Sequence, residues 1–382
     1  MQNQTPRRAN FFDMRAALLP VLLLAACSGG TADARQKAIK TPFVSTEMGR
    51  FNEPWAMTFL PDGRALVTEK SGKLLVWSSK DKPPVIVTGT PEVSNAGQGG
   101  FGDVVLHPNF KMSGLVYLSW SEASAEGKGS AVARARLVEA AGTARLEGLS
   151  IIWRQTPKVT GNGHFGHRIA FAPDGKLFIS SGERQKFTPS QDMQANLGKV
   201  IRLNDDGSLP TDNPFAAQGG VAAQIWSLGH RNPLGLAFAP GGSLWNTEMG
   251  PYGGDELNLV KRAANYGYPN VSNGSHYDGR DIPDHKSGDG WEPPNVWWNP
   301  SISPGSLMIY SGALFPKWEG DAFIGGLGSQ ALIRVDLNGA SASKADQWDM
   351  GQRIREVEQG PDGAIWVLED SKNGRLLKLT PK

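Results

Sequence analysis

One hairpin written six times constrains this chain more than any other feature. The unit is an apolar strand, a Pro/Gly turn and a second apolar strand. It runs as MTFLPDGRALVTE at 57–69, VVLHPNFKMSGLVYLSW at 104–120, IAFAPDGKLFISSGE at 169–183 and LAFAPGGSLWNTE at 236–248. It returns more loosely as ALFPKWEGDAFIGGL at 313–327, and finally as VEQGPDGAIWVLED at 357–370. Apolar and polar residues alternate with period two on both sides of each turn, the pattern of antiparallel hairpins. Further strand–turn–strand segments follow several copies, at 71–77, 197–207, 331–339 and 373–379. Three or four strands per copy predict an all-β fold, a six-bladed β-propeller of four-stranded antiparallel blades. One blade cannot bury both faces alone, whereas stacking blades around an axis buries them and leaves only short edges. A pair of β-sandwiches is the alternative, but a sandwich does not require six copies of one hairpin. The best helical stretch, AVARARLVEAA at 131–141, alternates and fits a strand better.

Composition agrees with this reading and narrows the function. Gly 47 and Pro 26 in 382 residues favour many turns over long helices. A formal charge of +2 shows no basic excess of the kind a nucleic-acid binder carries. A single cysteine excludes an internal disulfide and any Cys-clustered zinc or iron–sulfur site.

That cysteine marks the end of an export signal. Arg7, Arg8 and Arg15 precede an apolar run at 16–26, too short for a stable bilayer-spanning helix. The run closes Leu24-Ala25-Ala26-Cys27-Ser28, which resembles the lipobox of bacterial lipoproteins. The expected organisation is a lipoprotein signal peptide at 1–26, a small, polar tether at 27–41 and a propeller at 42–382. Lipidation of Cys27 would anchor the protein in the bacterial cell envelope, facing the periplasm, on the outer membrane, with the lipid as its only membrane contact. The signal carries three Arg and one Asp, so the remaining 36 basic and 36 acidic residues balance.

The turn prolines fall at 61, 108, 173, 240, 316 and 361, so the middle copies carry long insertions. Those insertions are expected to gather on one rim and to hold the site. His164 lies in a glycine-flanked loop, GNGHFGHR at 161–168, just before the third copy, and His230-Arg231-Asn232-Pro233 stands just before the fourth. Side chains at equivalent strand entrances converge on one face, where a neutral His can accept a proton and an Arg can stabilise an anion. Loop capping is the bland alternative. His107, before Pro108 in a turn, reads as structural. The stretch GPYGGDELN at 250–258 sets paired carboxylates beside a Gly/Pro loop, an oxygen-rich set that suits calcium and equally reads as a solvated acidic turn. Trp297 and Trp298 are either a stacking wall or rim packing.

From 42 to 380 the chain resembles the quinoprotein glucose/sorbosone dehydrogenase-like family, soluble aldose dehydrogenases that use pyrroloquinoline quinone (PQQ). The motifs that carry this are GHFGHRIAFAPDGKLFISSGER, LGKVIRLNDDGSLPTDNPF, SLGHRNPLGLAFAP, TEMGPYGGDELNLVKRAANYGYPNV and QRIREVEQGPDGAIW. The resemblance implies a six-bladed propeller that oxidises an aldose at C1 to the lactone with PQQ and Ca²⁺, passing electrons to an acceptor the sequence does not name. It implies that His164 takes the C1 hydroxyl proton while hydride passes to the quinone. It places Arg231 and Asn232 at the quinone oxygens and Gln98 at the cofactor edge. Arg353 and Arg355 would bind the PQQ carboxylates, and strand alternation puts both on one face. The carbonyls of Gly250 and Pro251 would hold the calcium that bridges to PQQ. Asp255 would lie beside the reacting centre, and Glu256 and the Tyr266 carbonyl would form a second calcium site. The chain departs from the family pattern at three places. Gly163 stands where an Asp can orient the base, His167 where many members have Gly, and Gly328 roughly where a Lys meets PQQ. The first and last favour a rival reading, a lipid-anchored propeller that binds sugar or protein without catalysis. A calcium-dependent propeller lactonase is a third reading, and it would not need the Arg pair.

Overall fold

The computed structural model describes residues 41–382, and the apolar run with Cys27 lies outside the described residues. The chain forms a six-bladed β-propeller. The blades begin with the strands Pro54–Phe59, Phe101–Leu106, Gly166–Phe171, Pro233–Phe238, Met308–Ile309 and Ile354–Gln359. These first strands lie against one another around the axis, and each pairs antiparallel with the next strand of its own blade.

The Pro/Gly turns work as the sequence pattern requires. In blade 1 the Leu60 amide donates to the Arg64 carbonyl at 2.7 Å, and the Gly63 amide donates back to Leu60 at 2.9 Å. Blades 3, 4 and 6 repeat both bonds at Ala172–Lys176, Ala239–Ser243 and Gly360–Ala364. Each of these loops ends in a glycine at positive φ, 79–89°, which a residue with a Cβ adopts only with strain. The loop Asp then caps the amide two residues on, as Asp62 does for Arg64 at 3.1 Å and Asp174 for Lys176 at 3.0 Å. Blade 5, the loosest copy, replaces this turn with a longer loop containing the 3-10 turn Pro316–Trp318.

The core is divided among the blade interfaces. One apolar cluster joins blade 1 residues Met57, Val67 and Trp77 to blade 6 residues Trp366, Leu368 and Leu376. Equivalent clusters fill the other five interfaces. Each fully buried Leu, Ile or Val contributes about 1.5–3 kcal/mol, so neighbouring blades hold each other in place. The ring closes through the segment Phe43–Phe51, which pairs with Gly374–Pro381 as the fourth strand of blade 6.

The insertions divide differently from the expectation of one crowded rim. In blade 2 the extra length goes into long strands, Leu115–Ser124, Gly127–Ala140 and Thr143–Arg154. In blade 3 it forms the loops 182–198 and 204–224. The blade 4 insertion, 260–295, climbs beside the outer strand of blade 3. The amides of Leu228 and Tyr266 alternate along that seam, bonding to the Ala264 and Leu228 carbonyls at 3.0 and 2.9 Å. Among the described residues no helix is long and apolar enough to cross a membrane.

Candidate active site

All six first strands run the same way around the axis, so their entrances open on one face. The second strands end on that face too. Gln98, His164, Arg231, Asn232 and Arg353 all stand at strand entrances, and this topology brings them together.

His164 is held by a partner that the sequence did not reveal. Its Nδ1 bonds to Oε1 of Glu183, in the loop after the second strand of the same blade. The imidazole is 6% exposed and Glu183 is fully buried. Burial favours neutral Glu183, but its bonds with His164 and the Phe187 amide, the latter at 2.6 Å, hold it below the ordinary carboxylate range. Burial also pushes His164 down. The pull of Glu183 opposes this, and the Arg231 guanidinium reinforces it. An ionised carboxylate facing a neutral imidazole fixes the tautomer: Nδ1 carries the proton and Nε2 carries the free lone pair. Gln98 Oε1 accepts from the His164 amide at 2.8 Å and pins the loop, which sits at a φ of 51°. Gly163, where an orienting Asp could stand, leaves its side-chain space to the Gln185 amide; a Cβ there would lie 2.6 Å from Gln185 Oε1.

Two clefts lie on either side of the His164–Phe165 and Arg231–Asn232 segments. His164, Glu183 and Arg231 line one of about 220 Å³, walled by Phe187, Tyr268 and Tyr277. The other, about 240 Å³, is lined by Gln98, Asn232, Lys70, Arg353, Arg355 and Asp370 over Trp55, Phe165 and His167. Arg353 and Arg355 do share a face, and both reach Asp370, at 2.7 and 3.3 Å. Arg355 is largely withdrawn from solvent, which lowers its pKa against the pull of Asp370. Lys70 adds a cation that the sequence reading missed, tethered at 3.1 Å to the Gly97 carbonyl. Gly328 packs on Ser303, and its neighbour Leu327 is the residue that borders the cleft.

Arg231 links the clefts to an acidic pocket. Its amide donates to Glu248 Oε2 at 2.7 Å and its Nη1 to the Met249 carbonyl at 2.8 Å. Arg231 Nε and Asn232 Nδ2 are buried without a partner among the described residues. His230 is structural: its ring bonds to Glu248 and Ser227, each at 2.9 Å, and stacks on Tyr266. Glu248 and Glu256 face a small cavity of about 10 Å³ with Gly250, Pro251, Tyr266 and Ser272, space for one water or ion. Burial first, and the Glu248 charge second, push Glu256 well above the carboxylate range. Asp255 is raised to about 6 by burial, against amide bonds from Ser303 and from Gly250 at 2.8 Å that brace the Gly250 loop.

Trp297 and Trp298 do not form a stacking wall. They lie on the outermost strand of blade 4, Val296–Trp298, away from the axis. Trp298 packs into the blade 4–5 core, while Trp297 is 45% exposed, and neither borders the clefts. The aromatic surfaces at the site come instead from Trp55, Phe165, Phe187, Tyr268 and Tyr277.

Known proteins resemble this chain in sequence and fold over most of its length. The chain is 37% identical over 382 residues to the aldose sugar dehydrogenase YliI of Escherichia coli K12, covering 98% of this chain and 99% of the relative. The apo crystal structure of the soluble E. coli aldose sugar dehydrogenase superposes with a TM-score of 0.85 at 38% identity, covering 89% of this chain and all of that one. The PQQ-bound aldose sugar dehydrogenase of Streptomyces coelicolor superposes with a TM-score of 0.74 at 26% identity, covering 89% and 98%. Residues 51–378 match the Glucose / Sorbosone dehydrogenase family across the whole propeller, and the chain belongs to that family.

Proposed function

We propose that the protein is a PQQ- and calcium-dependent aldose dehydrogenase that oxidises the sugar at C1 to the lactone. The observation that carries this reading is His164, locked through Nδ1 to a buried carboxylate, with Nε2 left to a ligand beside Arg231.

The side chains of the larger cleft fit a planar polycarboxylate. Lys70, Arg353 and Arg355 supply cationic donors, Trp55 and Phe165 supply flat apolar surface, and Asn232 Nδ2 is a buried donor without an acceptor among the described residues. When bound there, PQQ supplies the two-electron acceptor. The acidic pocket fits a hard cation: Glu248 and Glu256 are buried together, and Ser272 Oγ has no partner among the described residues. No three His, Cys, Asp or Glu side chains cluster among the described residues, so calcium would also draw on carbonyls such as those of Gly250, Pro251 and Tyr266.

In this mechanism His164 Nε2 accepts the C1 hydroxyl proton. Glu183 keeps the ring oriented and steadies the imidazolium that forms. Arg231 places positive charge where anionic character grows on the acceptor side. Phe187, Tyr268 and Tyr277 wall the cleft in which the reacting atoms would sit.

The test is reconstitution. Purified apo-protein given PQQ and Ca²⁺ should reduce an artificial dye with one or more aldoses from a panel. Absence of both dye reduction and a PQQ spectral change would overturn the reading. Arg355→Ala should raise the PQQ concentration needed for half-reconstitution by roughly 10–100-fold, the value of one charge-assisted contact. An unchanged titration would remove Arg355 from the cofactor site.

A further inference from the structure

His167 lines the larger cleft and has no role in the site as described. It is 2% exposed, and neither ring nitrogen has a hydrogen-bond partner among the described residues. Unpaired buried ring nitrogens are unfavourable, so each calls for a partner. The backbone adds to this: His167 has a φ of 90°, a conformation natural to glycine and strained for other residues. The surroundings nonetheless hold the ring firmly. It stacks on Phe165 at 5.4 Å and meets Trp55 edge-on at 5.7 Å. Ser119 Oγ donates to the His167 carbonyl at 2.7 Å. Gly102 makes room beside it, since a Cβ there would come within 2.9 Å of the His167 Cβ.

The charges around the ring show what it can do. Burial first, and then the charges of Arg184, Arg168 and Arg355, lower its pKa to about 3, so the ring is neutral and keeps one N–H and one lone pair. Arg168 and Arg184 are already engaged: their guanidinium groups lie 4.2 Å from the Trp55 ring centroid and 3.7 Å from that of Phe165. Arg168 also pairs with Asp103 and Glu356, at 3.5 and 2.5 Å. A strained, unpaired, tightly held ring in the wall of a cationic cleft is the pattern of a group whose partner arrives with the ligand.

We propose that His167 is a cofactor-contacting residue, donating its ring N–H to an anionic or carbonyl oxygen of the planar quinone in this cleft. The inference rests on the PQQ reading above and adds a contact to it. The contact strengthens a cleft whose two arginines are partly neutralised by Asp370.

The test is equilibrium binding of PQQ to the full-length apo-protein in Ca²⁺, by calorimetric or absorbance titration without any sugar. His167→Phe keeps the ring between Phe165 and Trp55 but removes both nitrogens. It should weaken binding about tenfold or more, the fold-change of one hydrogen bond to a charged group. His167→Asn tolerates the positive φ and restores a donor, so it should bind within about threefold of wild type. A packing role would instead lower the melting temperature of the apo-protein in His167→Phe and leave PQQ affinity unchanged. PQQ binding by His167→Phe within twofold of wild type overturns this proposal alone. Failure of the wild type to bind PQQ overturns the parent reading and this one with it.

Discussion

Replacing His164 with alanine should leave PQQ binding intact and lower turnover by roughly 10²–10⁴-fold, the span of a general base. The ring touches the smaller cleft, while the arginines and Lys70 line the larger one, so base and anchor are separable. Only neutral His164 can accept the proton. Its pKa lies below the ordinary 6.5, because burial and then Arg231 outweigh Glu183. The acid limb of kcat should therefore fall below that pH, with activity lost as protonation removes the Nε2 lone pair. Glu183→Gln keeps an acceptor for Nδ1–H but removes the charge that steadies the imidazolium. It should lower kcat by less than His164→Ala and move the acid limb further down. Dye-reduction kinetics across pH, paired with a PQQ titration of each variant, separates these effects. Wild-type turnover in His164→Ala would mean that another group takes the proton.

Glu183 also shows how the site lay half-visible in the sequence. The hairpin pairs Phe171 with Leu177, Ile169 with Ile179 and Gly166 with Ser181. The turn's own register would set His164 opposite Arg184; a bulge between Gly166 and Ile169 shifts it by one and brings Glu183 opposite, so the hairpin was legible and the pairing was not. Glutamates end the second strands of blades 1 and 4 as well, beyond similar bulges. Glu69 and Glu248 each reach back to an entrance amide, of Asn52 and Arg231, both at 2.7 Å. Local hairpin contacts are readable because the period-two pattern and the turn residues fix the register.

What depends on contacts between blades was not readable in this way. The closing strand Phe43–Phe51 belongs to no hairpin of its own and finds its partner, Gly374–Pro381, at the far end of the chain. Trp297 and Trp298 read equally as a stacking wall or as rim packing. Their place on an outer strand follows from the 260–295 insertion, which no repeat spacing describes. That insertion brings Tyr268 and Tyr277 to the site by running beside blade 3. Its path is set by tertiary hydrogen bonds, so the aromatic lining went unread while the blade count and the His–Arg entrances were legible.

Calcium removal should produce the second large effect, on stability rather than chemistry. Glu248 and Glu256 are buried side by side, held chiefly by neutral donors: Asn258 Nδ2 lies 3.0 Å from each. Without a cation, burial and the like charge keep Glu256 protonated well above its ordinary range. The sign follows from that shift. A carboxyl whose folded pKa is raised contributes stability at low pH and loses it as pH rises through the folded value. The metal-free protein should therefore weaken towards alkaline pH, and calcium, which favours both ionised carboxylates, should stabilise it most there. At free Ca²⁺ near 100 times Kd the gain is about 2.7 kcal/mol. For a domain of this size that is a rise of roughly 4 °C in Tm. Glu256→Gln removes one charge and should abolish most of the calcium-dependent rise while flattening the alkaline decline of the metal-free protein. Thermal melts with Ca²⁺ or a chelator, at pH 5.5 and 8, read all of these effects. An equal calcium shift in Glu256→Gln would place the ion elsewhere, because burial leaves this carboxylate few other ways to hold a charge.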